Sequence, residues 1–85
     1  MDEKKFREWL IEKKHFGVKS TNDIISRIKR AGKLIKVTDD VDSEKIINKL
    51  ENIKEFQHMS LSVKSQLKRA IRLKTDYQKT LLNKS

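Results

Sequence analysis

The chain has 85 residues, of which 35% are hydrophobic and 39% charged, enough for one domain with a thin core but not for a second domain or a large sheet core. Its 21 Lys and Arg against 12 Asp and Glu give a formal net charge of +9, and it contains no proline and no cysteine. Disulfides and Cys-ligated zinc are thereby excluded, and no apolar run approaches the roughly twenty residues of a membrane span.

A first helix is expected from about Glu3 to His15, with Asp2 as its cap and Phe6, Trp9, Leu10 and Lys13 on one face. Gly17 suits the left-handed position that ends such a helix, with Phe16 and Val18 packing back onto the core. A second helix starts at Ser20, whose hydroxyl is placed to accept an N–H near Asp23, and runs over about 21–35. Ile24, Ile28, Ala31 and Ile35 form its buried stripe, widened by Ile25 and Leu34. Ser26, Arg27, Lys29, Arg30 and Lys33 fall on its flanks and outer face. Gly32 costs about 1 kcal/mol relative to alanine inside a helix, so it either admits a close neighbour or marks fraying.

Residues 36–41 read as a linker around Thr38-Asp39-Asp40. A third helix over about 43–56, started by Asp42 or Ser43, carries Ile46, Ile47 and Leu50, weakens near Asn52 and resumes as a short turn through Phe56. A fourth runs over about 63–81, with Ser62 as the preferred cap and Ser60 as the earlier option. Its stripe is Val63, Leu67, Ala70, Leu73 or Lys74, Tyr77 and Leu81, broadened by Ile71, while Lys64, Lys68, Arg69 and Arg72 lie mostly off it. The tail 83–85 reads as frayed. The expected fold class is all-α, a compact bundle of four to five helices.

Charge is unevenly distributed. Met1–Lys36 carries 11 basic and 5 acidic residues (+6), Val37–Gln57 carries 3 and 6 (−3), and His58–Ser85 carries 7 and 1 (+6). If the two ends meet in space, the fold has a basic face and an acidic back. A Lys-rich surface that only serves solubility is the plain alternative. Two helix starts, Lys19-Ser20-Thr21-Asn22-Asp23 and Leu61-Ser62-Val63-Lys64-Ser65-Gln66, each combine free N–H groups with Lys and Arg one or two turns further on. That combination suits phosphate and points to nucleic acid rather than catalysis.

Catalytic and metal chemistry find little support. His15 and His58 are the only histidines, and neither has a partner at metal-ligand spacing. There is no nucleophile elbow and no phosphate-cradling glycine loop, and Tyr77 lies on an apolar stripe. The expectation is a non-enzyme with no cofactor, no metal and no small-molecule substrate. The start Met1-Asp2-Glu3-Lys4-Lys5 lacks the apolar stretch of a signal peptide, so the expected location is the cytoplasm and no membrane association is expected.

Phe6-x-x-Trp9-Leu10, followed by Ser20-Thr21 before Ile24-x-x-x-Ile28-x-Arg30, resembles the N-terminal core-binding domain of phage integrases, the tyrosine recombinases. Leu61-Ser62-Val63-Lys64-Ser65, continuing through Leu67-Lys68-Arg69-Ala70-Ile71-Arg72, is similar to that family's later helix. The resemblance spans about Phe6 to Leu82 and rests on degenerate motifs. It implies a SAM-like bundle that clamps one side of duplex DNA with its second and fourth helices. By position it implicates Lys19, Ser20, Thr21 and Arg27 on the second helix, and Lys64, Ser65, Lys68 and Arg72 on the fourth. The sequence departs from the family in lacking the catalytic domain and in placing Ile24 or Ile28 where an aromatic is common, so strand cleavage is not implied.

The resulting expectation is a DNA-binding regulator or accessory factor of a phage or mobile element. Arg30 and Arg69 complete its DNA-binding set, and Asn22, Arg27, Lys68 and Arg72 are the candidates for base contacts. Reversing Lys64 and Lys68 together is expected to abolish duplex binding. The competing expectation is a protein-interaction module or homodimer using an apolar patch of Met59, Leu61 and Leu82. Duplex binding further requires Asp39, Asp40, Asp42 and Glu44 to point away from the DNA face.

Overall fold

A computed structural model describes residues 3–36 and 42–82. They form five helices and no strand: α1 (Glu3–Glu12), α2 (Val18–Leu34), α3 (Ser43–Glu51), α4 (Lys54–Gln57) and α5 (Leu61–Leu82). The all-α expectation holds at this level. Asp2, Asp39, Asp40 and the tail lie outside the described residues, as does most of the expected linker.

Helix ends differ from the sequence reading in ways that matter for the surface. α1 stops at Glu12 rather than His15, and the left-handed position is taken by His15 (φ 60°), not by Gly17 (φ −69°). Histidine is among the few non-glycine residues that visit that region with some frequency. The Phe16 N–H donates to the Leu10 carbonyl at 3.1 Å and folds the chain back over the end of α1. Gly17 is extended and stands at the N-cap of α2, so α2 begins at Val18 and Ser20 is a first-turn residue rather than a cap. The Thr21 N–H donates to the Gly17 carbonyl at 2.9 Å.

The third helix divides as its sequence suggested. Asp42 caps α3 by accepting the Glu44 N–H at 3.1 Å. The helix ends at Asn52, whose N–H bonds the Lys49 carbonyl, and an extended Ile53 (ψ 126°) separates it from the single turn of α4. α5 starts two residues before the expected Val63. Its cap is Ser60, whose Oγ accepts the Val63 N–H at 3.3 Å and whose carbonyl accepts the Lys64 N–H at 3.0 Å. Ser62 lies inside the first turn.

The apolar stripes meet in two clusters. The first joins Phe6 and Leu10 of α1 with Ile24, Ile25 and Ile28 of α2 and Ala70 and Tyr77 of α5; Trp9, Phe16 and Leu73 pack against it. The second joins Ala31 of α2 with Ile46, Ile47 and Leu50 of α3, Phe56 of α4 and Leu67 and Ile71 of α5. α2 and α5 therefore run through both clusters and form the spine. Lys74, not Leu73, takes the deeper position on α5 (3% exposed), while Leu73 packs against the edge of the first cluster. Lys13, expected beside Phe6, is exposed. The body measures 38 × 28 × 16 Å, its short dimension close to that of two helix layers with axes about 8–10 Å apart.

Gly32 approaches no neighbouring helix: a Cβ built there meets no atom within 4 Å, and the residue is exposed. Gly32→Ala should therefore raise stability by about 0.5–1 kcal/mol through a less disordered unfolded chain and better helix propensity, measured as a shift in the urea midpoint at unchanged slope. A loss of stability would place something against that face of α2.

Candidate nucleic-acid interface

The basic residues of α2 separate onto two flanks. On the flank facing α1, Arg7 donates from Nη1 to Asn22 Oδ1, and Lys29 Nζ bonds Glu3 at 2.8 Å. The Lys29 ammonium, with Arg7 behind it, holds the Glu3 carboxyl below its ordinary value. Asn22 is thus engaged with α1 and not with α5.

On the other flank, the first half of α2 and the middle of α5 border a cleft of about 240 Å³. Ser20, Asp23 and Arg27 line it from α2, Gln66 and Arg69 from α5, with Phe16, Ile24 and Ala70 completing it. One helical turn separates Ser20, Asp23 or Ile24, and Arg27, which is why they share an edge. The same 3–4 spacing aligns Gln66, Arg69 and Ala70 on α5. The small Ala70 side chain, 1% exposed, forms part of the cleft wall. The Arg69 guanidinium lies 5.5 Å from the Phe16 ring centroid, a cation–π contact that fixes the charge without neutralising it. Arg27 and Arg69 form no ion pair with any described carboxylate, and neither do the exposed Lys19 and Arg30. Asp23 places one negative group in the same cleft, so its polar wall is basic but not uniformly so.

The outer edge of α5 has a different environment. Lys68 Nζ is 3.6 Å from Glu51, and the Arg72 guanidinium is 3.7 Å from Glu44. The ammonium groups of Lys64 and Lys68 lie 5.9 and 6.0 Å from the Phe56 ring centroid. The expected DNA-binding set is therefore divided. Ser20, Arg27 and Arg69 share the cleft, while Lys64, Lys68 and Arg72 face α3 and α4. Lys19, Arg30 and Ser65 are exposed, and Asn22 is bound to α1. Thr21 is buried (0% exposed) and cannot reach a ligand.

Among the described residues, no group of three or more His, Cys, Asp or Glu could hold a metal ion. The sequence reading overlooked Phe16, Asp23 and Gln66 as cleft residues. Gln66 had a usable signal, three residues before Arg69, whereas Phe16 enters the cleft only because the α1–α2 turn places it there. The expected patch of Met59, Leu61 and Leu82 does not form. Met59 packs against the second cluster, and Leu61 and Leu82 sit at opposite ends of a 22-residue helix, roughly 30 Å apart by its rise.

Thr21 supplies a test of the revised α2 start. Its hydroxyl has no hydrogen-bond partner although it is buried, and an unsatisfied buried hydroxyl costs about 1–3 kcal/mol. Thr21→Val, close in shape, should stabilise the fold by about 1 kcal/mol in urea unfolding. Destabilisation would mean that the hydroxyl is bonded.

A second depression, about 640 Å³, lies between α1 and the end of α5, with Trp9, Tyr77 and Leu81 among its lining and Lys5, Glu8, Glu12 and Lys13 also bordering it. Among the described residues, no helix is long and apolar enough to cross a membrane. No protein-family model matches the chain, and no curated protein and no solved structure matches it.

Proposed function

We propose that this chain is a non-catalytic DNA-binding module that holds duplex DNA along the α2–α5 face, as a small regulator or accessory factor of a phage or mobile element. The observation that carries the reading is the cleft itself: Arg27 and Arg69, from two different helices, converge on it without an ion pair while several other basic side chains are already engaged. A cleft of about 240 Å³ is below the roughly 300–1,000 Å³ of small-molecule sites. It has room for a phosphate-sized group and suits positioning on a backbone better than an enclosed reaction. The resemblance to the integrase core-binding domain supports the same two helices as the contact face.

The test is fluorescence anisotropy with a labelled duplex over a range of salt concentrations. Neutralising a phosphate contributes about 0.9 to the slope of log affinity against log salt. Arg27→Glu with Arg69→Glu should flatten that slope by about 2 and weaken binding on the order of 10² near 0.1 M salt, with the helical circular dichroism unchanged. Equal affinity in the two proteins would remove the cleft from the reading.

A protein-interaction role is the second reading, favoured by the partly apolar depression at Trp9, Tyr77 and Leu81. A defined partner retained after nuclease treatment, and lost on Leu81→Glu, would favour it over DNA binding.

A further inference from the structure

We infer that α3 is an electrostatic boundary of the DNA-binding face, with Glu44 and Glu51 occupying Arg72 and Lys68 so that the outer edge of α5 takes no phosphate. The inference rests on the duplex-binding reading above and deepens it by limiting which cations of the same surface count.

Three observations combine. Glu44 and Glu51 are seven residues apart, two turns, and so lie on one side of α3. They meet Arg72 and Lys68, one turn apart on α5, in antiparallel order, at 3.7 and 3.6 Å. The two pairs therefore follow from how the helices lie together, not from a chance rotamer. Second, α3 is held by the burial of Ile46, Ile47 and Leu50 at 3% exposure or less, so the backbone that carries both carboxylates stays beside α5. Third, Lys64 and Lys68 share the Phe56 ring beneath them, which draws both ammonium groups toward α4 and away from the cleft.

The pairs are partly solvent-exposed, with Arg72 and Glu44 at 54% and 68% and Lys68 and Glu51 at 30% and 48%, so they contribute little to stability. Their effect on a polyanion is larger. A phosphate approaching Lys68 or Arg72 would come within a few ångströms of a fixed carboxylate, well inside the screening length of about 8–10 Å at physiological salt. Attraction and repulsion then largely cancel, and few counterions are released on that edge. Arg69 points to the cleft side of the same helix, where two cations, Arg27 and Arg69, stand against the single carboxylate of Asp23 and the cancellation is incomplete. The α5 surface is thus divided along its length into a phosphate-accepting edge and a self-neutralised one.

The experiment compares the wild type, Glu44→Gln with Glu51→Gln, and the control Glu8→Gln with Glu12→Gln on α1, using a labelled duplex by anisotropy over about 50–300 mM salt. Removing the two α3 carboxylates should steepen the salt slope by about 2 and tighten binding about 10- to 60-fold near 0.1 M salt. The control, which removes the same charge from α1, should leave the slope within about 0.5. Conversely, adding Lys68→Gln and Arg72→Gln to the Glu44→Gln, Glu51→Gln variant should return the slope and affinity to within about threefold of the wild type, since the edge is again neutral. A wild type that binds while its α3 variant shows no steeper slope overturns the boundary and leaves the duplex reading intact. A slope that steepens equally in the control also overturns it, since net charge alone would then explain the gain. Absence of binding by the wild type and by the α3 variant alike overturns the duplex reading, and this inference with it. Binding by the α3 variant alone overturns both as well, since the intact surface would then have no DNA-binding face to bound.

Discussion

Replacing Phe6 by alanine is expected to remove about 3–5 kcal/mol of stability, a large part of the roughly 4–13 kcal/mol available to a domain of this length. Phe6 is fully buried and joins Trp9 and Tyr77 in an aromatic group of the first cluster. Its ring stacks on Trp9 (centroids 6.1 Å apart, planes at 18°) and meets Tyr77 in a tilted contact (5.3 Å, 50°), while Trp9 and Tyr77 touch each other at 5.5 Å. Truncation would remove two aromatic contacts at once and leave a cavity where α1 meets the spine. α1 has only ten residues, too few to persist alone in water, so it depends on this anchor. Leu61→Ala, at a site 81% exposed, should stay within about 0.5 kcal/mol of the wild type. Urea unfolding followed by circular dichroism measures both. A Phe6 variant within 1 kcal/mol of the wild type would mean that the aromatic group is not packed as described.

The helices were legible from apolar spacing because that signal is local. Phe6 with Leu10, Ile24 with Ile28, and Leu67 with Ala70 and Ile71 identify their buried faces before any partner is known. The break at Asn52 was readable too, since a single apolar Ile53 among polar neighbours cannot sustain a buried stripe. The caps were less legible. Ser20 and Ser62 satisfy a capping pattern as well as Gly17 and Ser60 do, and the choice is made by packing: starting α2 at Val18 places Thr21 in the core. His15 took the left-handed turn for a similar reason, because that position is set by where the chain must reverse and not by which residue enters it most easily.

The site was half legible. Sequence spacing identified Arg27 and Arg69 as outward-facing, but only the docking of α2 on α5 brings them to one cleft. The reverse holds for Lys68 and Arg72. Their sequence neighbours are basic, and the carboxylates that engage them lie 17 and 28 residues away along the chain. An acidic segment between two basic ones suggested a separate back to the molecule. In the fold, Glu44 and Glu51 instead lie beside a basic helix.

Leu50→Ala is expected to cost about 2–5 kcal/mol and to do so throughout the molecule. Leu50 is fully buried among Ile46, Ile47, Phe56, Leu67 and Ile71 in the second cluster, on the far side of the bundle from Trp9. α2 and α5 cross both clusters, so loosening α3 weakens the Leu67 and Ile71 section of the same helix that presents Ala70 and Tyr77 to the first cluster. Trp9 is the single tryptophan and reports on that first cluster. If the spine couples the two, the fluorescence and circular-dichroism midpoints in urea should fall together by the same amount, as a two-state transition requires. If instead the dichroism midpoint falls while the Trp9 midpoint stays at its wild-type value, α3 and α4 unfold as a unit of their own. That outcome would reach the proposed DNA-binding face as well. With α3 detached, Glu44 and Glu51 would leave Arg72 and Lys68, and the destabilised protein should bind duplex with a steeper salt slope than the intact one.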